Sequence, residues 1–258
     1  MQTKYVCMLL RSSKIGLNCM ILTSLVIMAS FPCKAQTVIG TKGMMNVPTA
    51  DMNPAGTFDG GGSFMQKEIP NERTYNTWLY YVSFTAFSWL DMTYRGTLLK
   101  TRKSATDPRE GFYQQNRSFT VRIRPLKEGK YWPAIAIGAN DFIKQNTADG
   151  LTGGALNRYA CVYGVATKHF PIASVGTVGT TVGYARPIRT GFAYDGVMGG
   201  LSFSPAFFPE MRVMGEYDSD GFNVGASAFL FKHLNLTCFT REFKGINATL
   251  SYQYTIKF

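Results

Sequence analysis

The chain has only two histidines, His169 and His233, and each falls at the predicted end of a strand, beside a turn. A Ser–His–acid relay needs a nucleophile and a carboxylate next to one of them. No spacing supplies both, so the two read as solvated turn residues. The carboxylates are more suggestive. Glu216-Tyr217-Asp218 puts two acids on one face of a strand. Such a pair can run acid–base chemistry on a glycoside or hold calcium. Arginines answer them, because Arg95, Arg122, Arg124 and Arg158 point the same way from their own strands, as does Asp91. A carboxylate taken out of water needs such a partner, and an unpaired one is costly. The set Asp91, Arg95, Arg122, Arg124, Arg158, Glu216 and Asp218 therefore reads as an internal charge network, with arginines facing Glu216 and Asp218. No catalytic residue, metal site or cofactor is expected.

The elements that must position these residues alternate. From Ile246 to Phe258 one parity reads Ile246, Ala248, Leu250, Tyr252, Tyr254, Ile256, Phe258, and the other Asn247, Thr249, Ser251, Gln253, Thr255, Lys257. A period of two with one wholly apolar face is a strand lying between an apolar and a polar medium. Lysine at Leu250 should oppose insertion, and lysine at Ser251 should be tolerated. Similar segments recur near 56–65, 74–84, 88–99, 117–126, 133–143, 157–168, 174–186, 192–204, 209–218, 221–231, 233–242 and 244–258. Each is about ten residues long, the length of a tilted membrane strand.

Composition agrees with an all-β chain. Among 258 residues, 45% are hydrophobic, 14% aromatic and 17% charged, with 26 glycines. Disorder would need more charge and fewer aromatics, and a helical bundle more Ala, Leu, Glu and Lys. The formal charge is +11, but basic and aromatic residues are not interleaved in one stretch, so no nucleic-acid partner is expected. Residues 1–35 carry Lys4, Arg11, Lys14 and Lys34 with no acid, then the apolar run 21–31 and Cys33-Lys34-Ala35. That is the pattern of a secretory signal peptide cleaved after Ala35, and the run is too short to span a bilayer as a helix. Cleavage leaves Cys161 and Cys238, which are no disulfide framework and read as small buried or lipid-facing residues. The Asn-x-Thr/Ser triplets at Asn116, Asn235 and Asn247 match the glycosylation pattern, but two lie inside predicted strands, and all three are discounted.

A soluble sandwich and a membrane barrel could both hold twelve such strands. Mid-strand charges on the polar face, aromatics near strand ends and the terminal Phe258 favour a single antiparallel transmembrane barrel of about twelve strands, residues 56–258. The closing Tyr252, Tyr254 and Phe258 resemble the C-terminal signal of bacterial outer-membrane barrels, which implies the bacterial outer membrane, its lipid and the barrel-assembly machinery as surroundings. From a periplasmic N-terminus, the longest gaps, 100–116 and 144–156, fall outside, as such barrels require. Before the first strand, Gly43 to Gly56 reads GMMNVPTADMNPAG. Its glycines and prolines make a folded-back segment, so residues 36–55 are expected to be a leader that plugs or covers the periplasmic mouth.

The residues Gly43, Asn46, Pro48, Thr49, Ala50, Met52 and Gly56 resemble the opening motif of the YjbH family. Further blocks agree in order: Arg117-Ser-Phe with Arg122-Ile-Arg124 and Gly129; Pro133 through Gly138 to Asp141-Phe142; and Glu216-Tyr217-Asp218 with Asn223-Val-Gly225. The chain departs from the pattern at Asn157-Arg158-Tyr159, where an acidic residue would be expected. The resemblance implies an outer-membrane barrel that assists exopolysaccharide or capsule export and is not an enzyme. It also implies an acidic polysaccharide and periplasmic export proteins as partners. The other reading is a structural or adhesive surface barrel without transport. A wide lumen would favour the first reading and a packed one the second.

Overall fold

A computed structural model of the chain describes residues 35–68, 75–104, 106–143, 159–188 and 194–256. The expected signal peptide before Ala35, and the site residues Arg158 and Phe258, lie outside the described residues. Twelve strands follow one another: β1 (Thr57–Met65), β2 (Thr77–Phe87), β3 (Leu90–Arg102), β4 (Glu110–Leu126), β5 (Ala134–Asn140), β6 (Cys161–Ile172), β7 (Gly176–Pro187), β8 (Gly196–Pro205), β9 (Met211–Tyr217), β10 (Phe222–Leu230), β11 (Leu234–Arg241) and β12 (Ile246–Thr255). Each pairs antiparallel with its sequence neighbours, and β12 pairs with β1 from Thr57↔Thr255 to Met65↔Asn247, closing the barrel. Closure leaves no unpaired edge. The rim where β1 begins and β12 ends is called proximal below, and the other rim distal.

Alternation sorts the side chains. On β12, Leu250, Tyr252 and Tyr254 face outward, while Asn247, Thr249, Ser251 and Gln253 are buried in the lumen. On β2, Trp78, Tyr80 and Val82 face outward and Thr77, Leu79, Tyr81 and Ser83 inward. Apolar outside and polar inside is the pattern of a barrel in lipid. Cross-strand rings add to it: Phe58 and Phe84, opposite one another on β1 and β2, stack with centroids 4.4 Å apart. Cys161 is buried and Cys238 exposed.

The expected loop at 100–116 is largely sheet. β3 and β4 continue to Arg102↔Glu110, so only residues 103–109 lie between them. At the far end of this extension the outward positions Lys100, Arg102 and Glu110 are charged, with Lys100 and Glu110 paired at 3.4 Å, so no apolar face marks it there. Inside the barrel, residues of the N-terminal segment and of the wall form one buried apolar cluster, including Val38, Met44, Met45 and Val47 with Leu79, Tyr81, Tyr163 and Met214.

Candidate functional site

Residues 35–54 fold back on themselves within the lumen. Thr37 donates its backbone N–H to the Thr41 carbonyl at 2.8 Å, Met44 to Val47 at 2.9 Å and Thr49 to Lys42 at 3.2 Å, making two tight turns. Gly43 pairs with Pro48 across the second turn. A Cβ on Gly43 would lie 2.6 Å from the Val47 carbonyl oxygen and 2.9 Å from the Pro48 Cα, so only glycine allows that approach. Gly56, at φ 78°, ends the segment. It donates to the Thr85 carbonyl at 2.9 Å and accepts from Ile256 at 3.0 Å, tying the segment to β2 and to the end of the last strand.

The second turn aims three consecutive backbone N–H groups at one carboxylate. Met45 and Val47 donate to Glu216 Oε2 at 3.0 and 3.1 Å, and Asn46 to Oε1 at 2.6 Å. Successive N–H groups of a turn make a concave anion site, and here the anion is a side chain of the wall. The Asn46 side chain donates to Asp218 at 2.8 Å, and the Asn223 amide bridges Glu216 and Asp218 at 3.1 and 3.0 Å.

Across the lumen a guanidinium does the converse. Arg122 Nη1 donates to the carbonyls of Lys42 and Thr49 at 2.6 and 2.8 Å, and Nη2 to that of Asp51 at 2.9 Å. Asp91, opposite on β3, holds the guanidinium at 2.5 Å. Arg122 is wholly buried, so its charge is balanced by this carboxylate and by carbonyl dipoles. Ala50 donates its N–H to Thr167 Oγ1 at 2.9 Å. At the proximal end Asn53 Oδ1 accepts from Lys42 Nζ at 3.0 Å and from Gln253 at 3.3 Å.

The expected charge network is thereby changed. Among the described residues no arginine pairs with Glu216; backbone N–H groups and Asn223 take that place, because the plug reaches it first. Asp218 lies 3.6 Å from Arg241, which also pairs with Asp220 at 2.7 Å. Arg95 pairs separately with Asp141 at 2.9 Å and lies over the Tyr159 ring at 4.5 Å. Arg124 is half-buried at the proximal rim, where it donates to the Ser88 carbonyl at 2.6 Å and joins no carboxylate of the set. The acids and arginines thus form local pairs instead of one cluster.

Both histidines have partners, His169 on a strand and His233 in the turn before β11. His169 lies on β6, with Nδ1 2.7 Å from a Glu128 oxygen and Nε2 3.7 Å from Asp51 of the plug. Burial pushes the Glu128 carboxyl up, but His169 and Lys168 outweigh it, and the group titrates below its usual range. Burial likewise raises Asp51, and His169, Lys42, Arg212 and the Thr49 hydroxyl bring it below its usual value. His233 donates Nδ1–H to the Gln253 carbonyl at 2.9 Å and stacks on Tyr252 with centroids 5.3 Å apart. Tyr252 and Tyr254 both face outward near the end of β12.

Asp51, Asp141, Arg212, Arg241 and Gln253 were not singled out by spacing. Arg212 shares the parity of Glu216 on β9, and its Nη1 lies 3.4 Å from the Gly43 carbonyl; that parity was the available signal. Among the described residues no cluster of His, Cys, Asp or Glu could hold a metal. What the arrangement can do is grip a peptide: a cation on its carbonyls and an anion on its N–H groups.

A family model described as "YjbH: Exopolysaccharide biosynthesis protein YbjH" matches residues 35–255, plug and barrel together. No curated protein matches the sequence. Among solved structures, outer membrane phospholipase A from Escherichia coli is similar at 7% identity and a TM-score of 0.34, over 80% of this chain and 98% of that one.

Proposed function

Since the chain belongs to the YjbH family of exopolysaccharide biosynthesis proteins, we propose that it is an outer-membrane barrel assisting export or assembly of an exopolysaccharide or capsule, with its lumen closed at rest by residues 35–54. The carrying observation is the two-sided grip on that segment by Arg122 and Glu216. A gate needs a filler separate from the strands of the wall, and this segment is one. In this reading the protein is not an enzyme: its contribution is passage and positioning. Outer-membrane lipid and the barrel-assembly machinery surround it. Periplasmic export proteins would meet the proximal rim, and an acidic polysaccharide would meet the inward arginines.

The structural or adhesive reading draws support from the packed lumen, where Met44, Met45, Val47 and Ala50 are almost wholly buried. Deleting residues 37–55 separates the two. Transport predicts a folded barrel with raised conductance in planar bilayers, and altered polymer secretion in cells. A scaffold predicts no conductance with or without the segment.

A further inference from the structure

The outward face of the wall is mostly apolar, and its charged positions are few. On β2, β3 and β4 the only acids are Asp91, which faces the lumen, and Glu110. The outward parity of β3 and β4 carries Lys100, Arg102 and Arg117. These three cations against Glu110 give the face a surplus of positive charge, although Lys100 and Glu110 pair at 3.4 Å. At the proximal rim the outward Lys168 is balanced one to one: its Nζ lies 3.1 Å from Glu128 and donates to the carbonyls of Lys130 and Trp132 at 3.3 and 3.5 Å.

Aromatic side chains flank Arg117. Register sets it opposite Gly96 on β3, and Gly96 opposite Tyr80 on β2. A Cβ on Gly96 would overlap the Tyr80 ring, so only glycine lets that ring lie across β3. The Tyr80 hydroxyl donates to Gln115 Oε1 at 2.8 Å, two residues from Arg117 on the same face. Tyr94 and Phe119, the next outward pair on the proximal side, hold their rings 5.1 Å apart, and Tyr80 and Tyr94 lie 6.4 Å apart. Tyr113 is exposed further along β4 towards the distal rim. Arg117 thus has rings above and below it along its strand, the depth at which the aromatic girdle of a barrel meets lipid headgroups. A guanidinium deep in hydrocarbon is costly, whereas at the headgroups it costs little and meets phosphate.

We propose that the distal outer face of β2, β3 and β4 binds a phosphate-bearing lipid of the surrounding membrane. Arg117 holds the phosphate, Arg102 adds a second charge further out, and the acyl chains descend along Tyr94 and Phe119. Tyr80, lying over Gly96, forms the floor between them. Arginine suits this place because its planar fork binds phosphate through two parallel hydrogen bonds and stays charged beside apolar groups. Basic groups at headgroup level recognise anionic lipids in this way. A soluble acidic polymer would satisfy the cations but would leave the apolar rings below them uncovered. The site uses the outer wall and not the lumen, and it stands apart from the export reading.

The test places the full chain in phosphatidylcholine vesicles that contain a minor fraction of phosphatidic acid. One of the two lipids at a time carries bromine on its acyl chains, which quenches nearby tryptophan. Trp78, outward on β2 two positions from Tyr80, is the reporter, and Trp89→Phe with Trp132→Phe removes the other two tryptophans of the chain. Brominated phosphatidic acid should quench Trp78 beyond its share of the lipid, and brominated phosphatidylcholine should not. Arg117→Gln should lower the relative association of phosphatidic acid roughly fivefold, and Glu110→Gln, which removes the acid of this face, should raise it. Equal quenching by the two brominated lipids, or an enrichment that Arg117→Gln leaves unchanged, overturns the proposal. Should Arg117→Gln fail to insert, Glu110→Gln decides alone, and an unchanged enrichment there overturns it. Lys127→Gln with Lys130→Gln, exposed at the proximal rim, should change nothing at Trp78; an equal loss there would mean that net charge alone draws the lipid, and the proposal fails. Displacement of the brominated lipid by added polygalacturonate would assign the face to an acidic polymer and overturn the lipid.

Discussion

Glu216 Oε1 accepts the backbone N–H of Asn46 at 2.6 Å, although 170 positions separate the two residues in the chain. The bond joins the turn of the plug to the ninth strand, and two neighbouring N–H groups share the same carboxylate. Glu216→Gln keeps the shape and removes the charge. Bonds to a charged group contribute about 1.5–3 kcal/mol, so the variant should loosen the turn by a part of that. Amide hydrogen exchange at Met45, Asn46 and Val47 should quicken while the strands stay protected. Unchanged exchange at all three would show that the carboxylate does not hold the turn.

Arg122→Met should be far more damaging. It leaves Asp91 buried without its cation and takes one donor from each of three carbonyls of the plug, of which that of Lys42 keeps the Thr49 N–H. Removing one partner of a buried pair costs about 3–5 kcal/mol. Denaturant unfolding should register the loss, and protease should reach residues 35–54 first. Adding Asp91→Leu to Arg122→Met should recover part of it, since the stranded charge goes too. A double variant no better than the single one would place the cost in the lost carbonyl bonds alone.

Lysine on the last strand should be resisted on both faces, for different reasons. Leu250 points outward, and Leu250→Lys near the bilayer midplane should destabilise insertion by about 2–4 kcal/mol. Ser251→Lys was expected to be mild from alternation alone. The residue is 2% exposed and packed against the Gly61 backbone, so a long cation there must displace the plug. Folding into vesicles should show a loss for both, with protease exposure of the plug only for Ser251→Lys.

Acid should release the proximal end of the plug. Glu128 and Asp51 both titrate below their usual values beside His169. A carboxyl lowered by folding contributes stability that is complete above the unfolded value of about 4. That stability is lost as pH falls through the lowered folded value. Melting temperature should therefore hold at neutral pH and drop below about pH 4. In Glu128→Gln with Asp51→Asn the drop should be smaller. The same drop in that double variant would place the sensitive groups elsewhere.

Much of the fold was legible because lipid and lumen impose opposite demands on alternate residues. β12 could be read residue by residue, and the inward parity of Asp91, Arg95, Arg122, Glu216 and Asp218 followed from it. The pairing did not. Parity says that Glu216 faces inward but not what else is inside, and the plug shows no periodicity with which to place its N–H groups. Nor could the distal extension of β3 and β4 be read, since its outward positions Lys100, Arg102 and Glu110 carry charge where the rest of the wall is apolar. The turn chemistry of Gly43, Pro48 and Gly56 marked the plug as folded back, yet its depth depended on Arg122 and Thr167, distant in sequence.

The join between β1 and β12 also fixes an order of events. The barrel cannot close until its last strand has been made, yet the plug precedes its first. A plug that meets its wall before that join forms reaches Arg122 and Glu216 from the open side of the sheet, and closure then encloses a filler already in place instead of admitting one through a finished mouth. A chain that closed first would have to strip water from Arg122, Asp91 and Glu216 a second time to let its own N-terminus in.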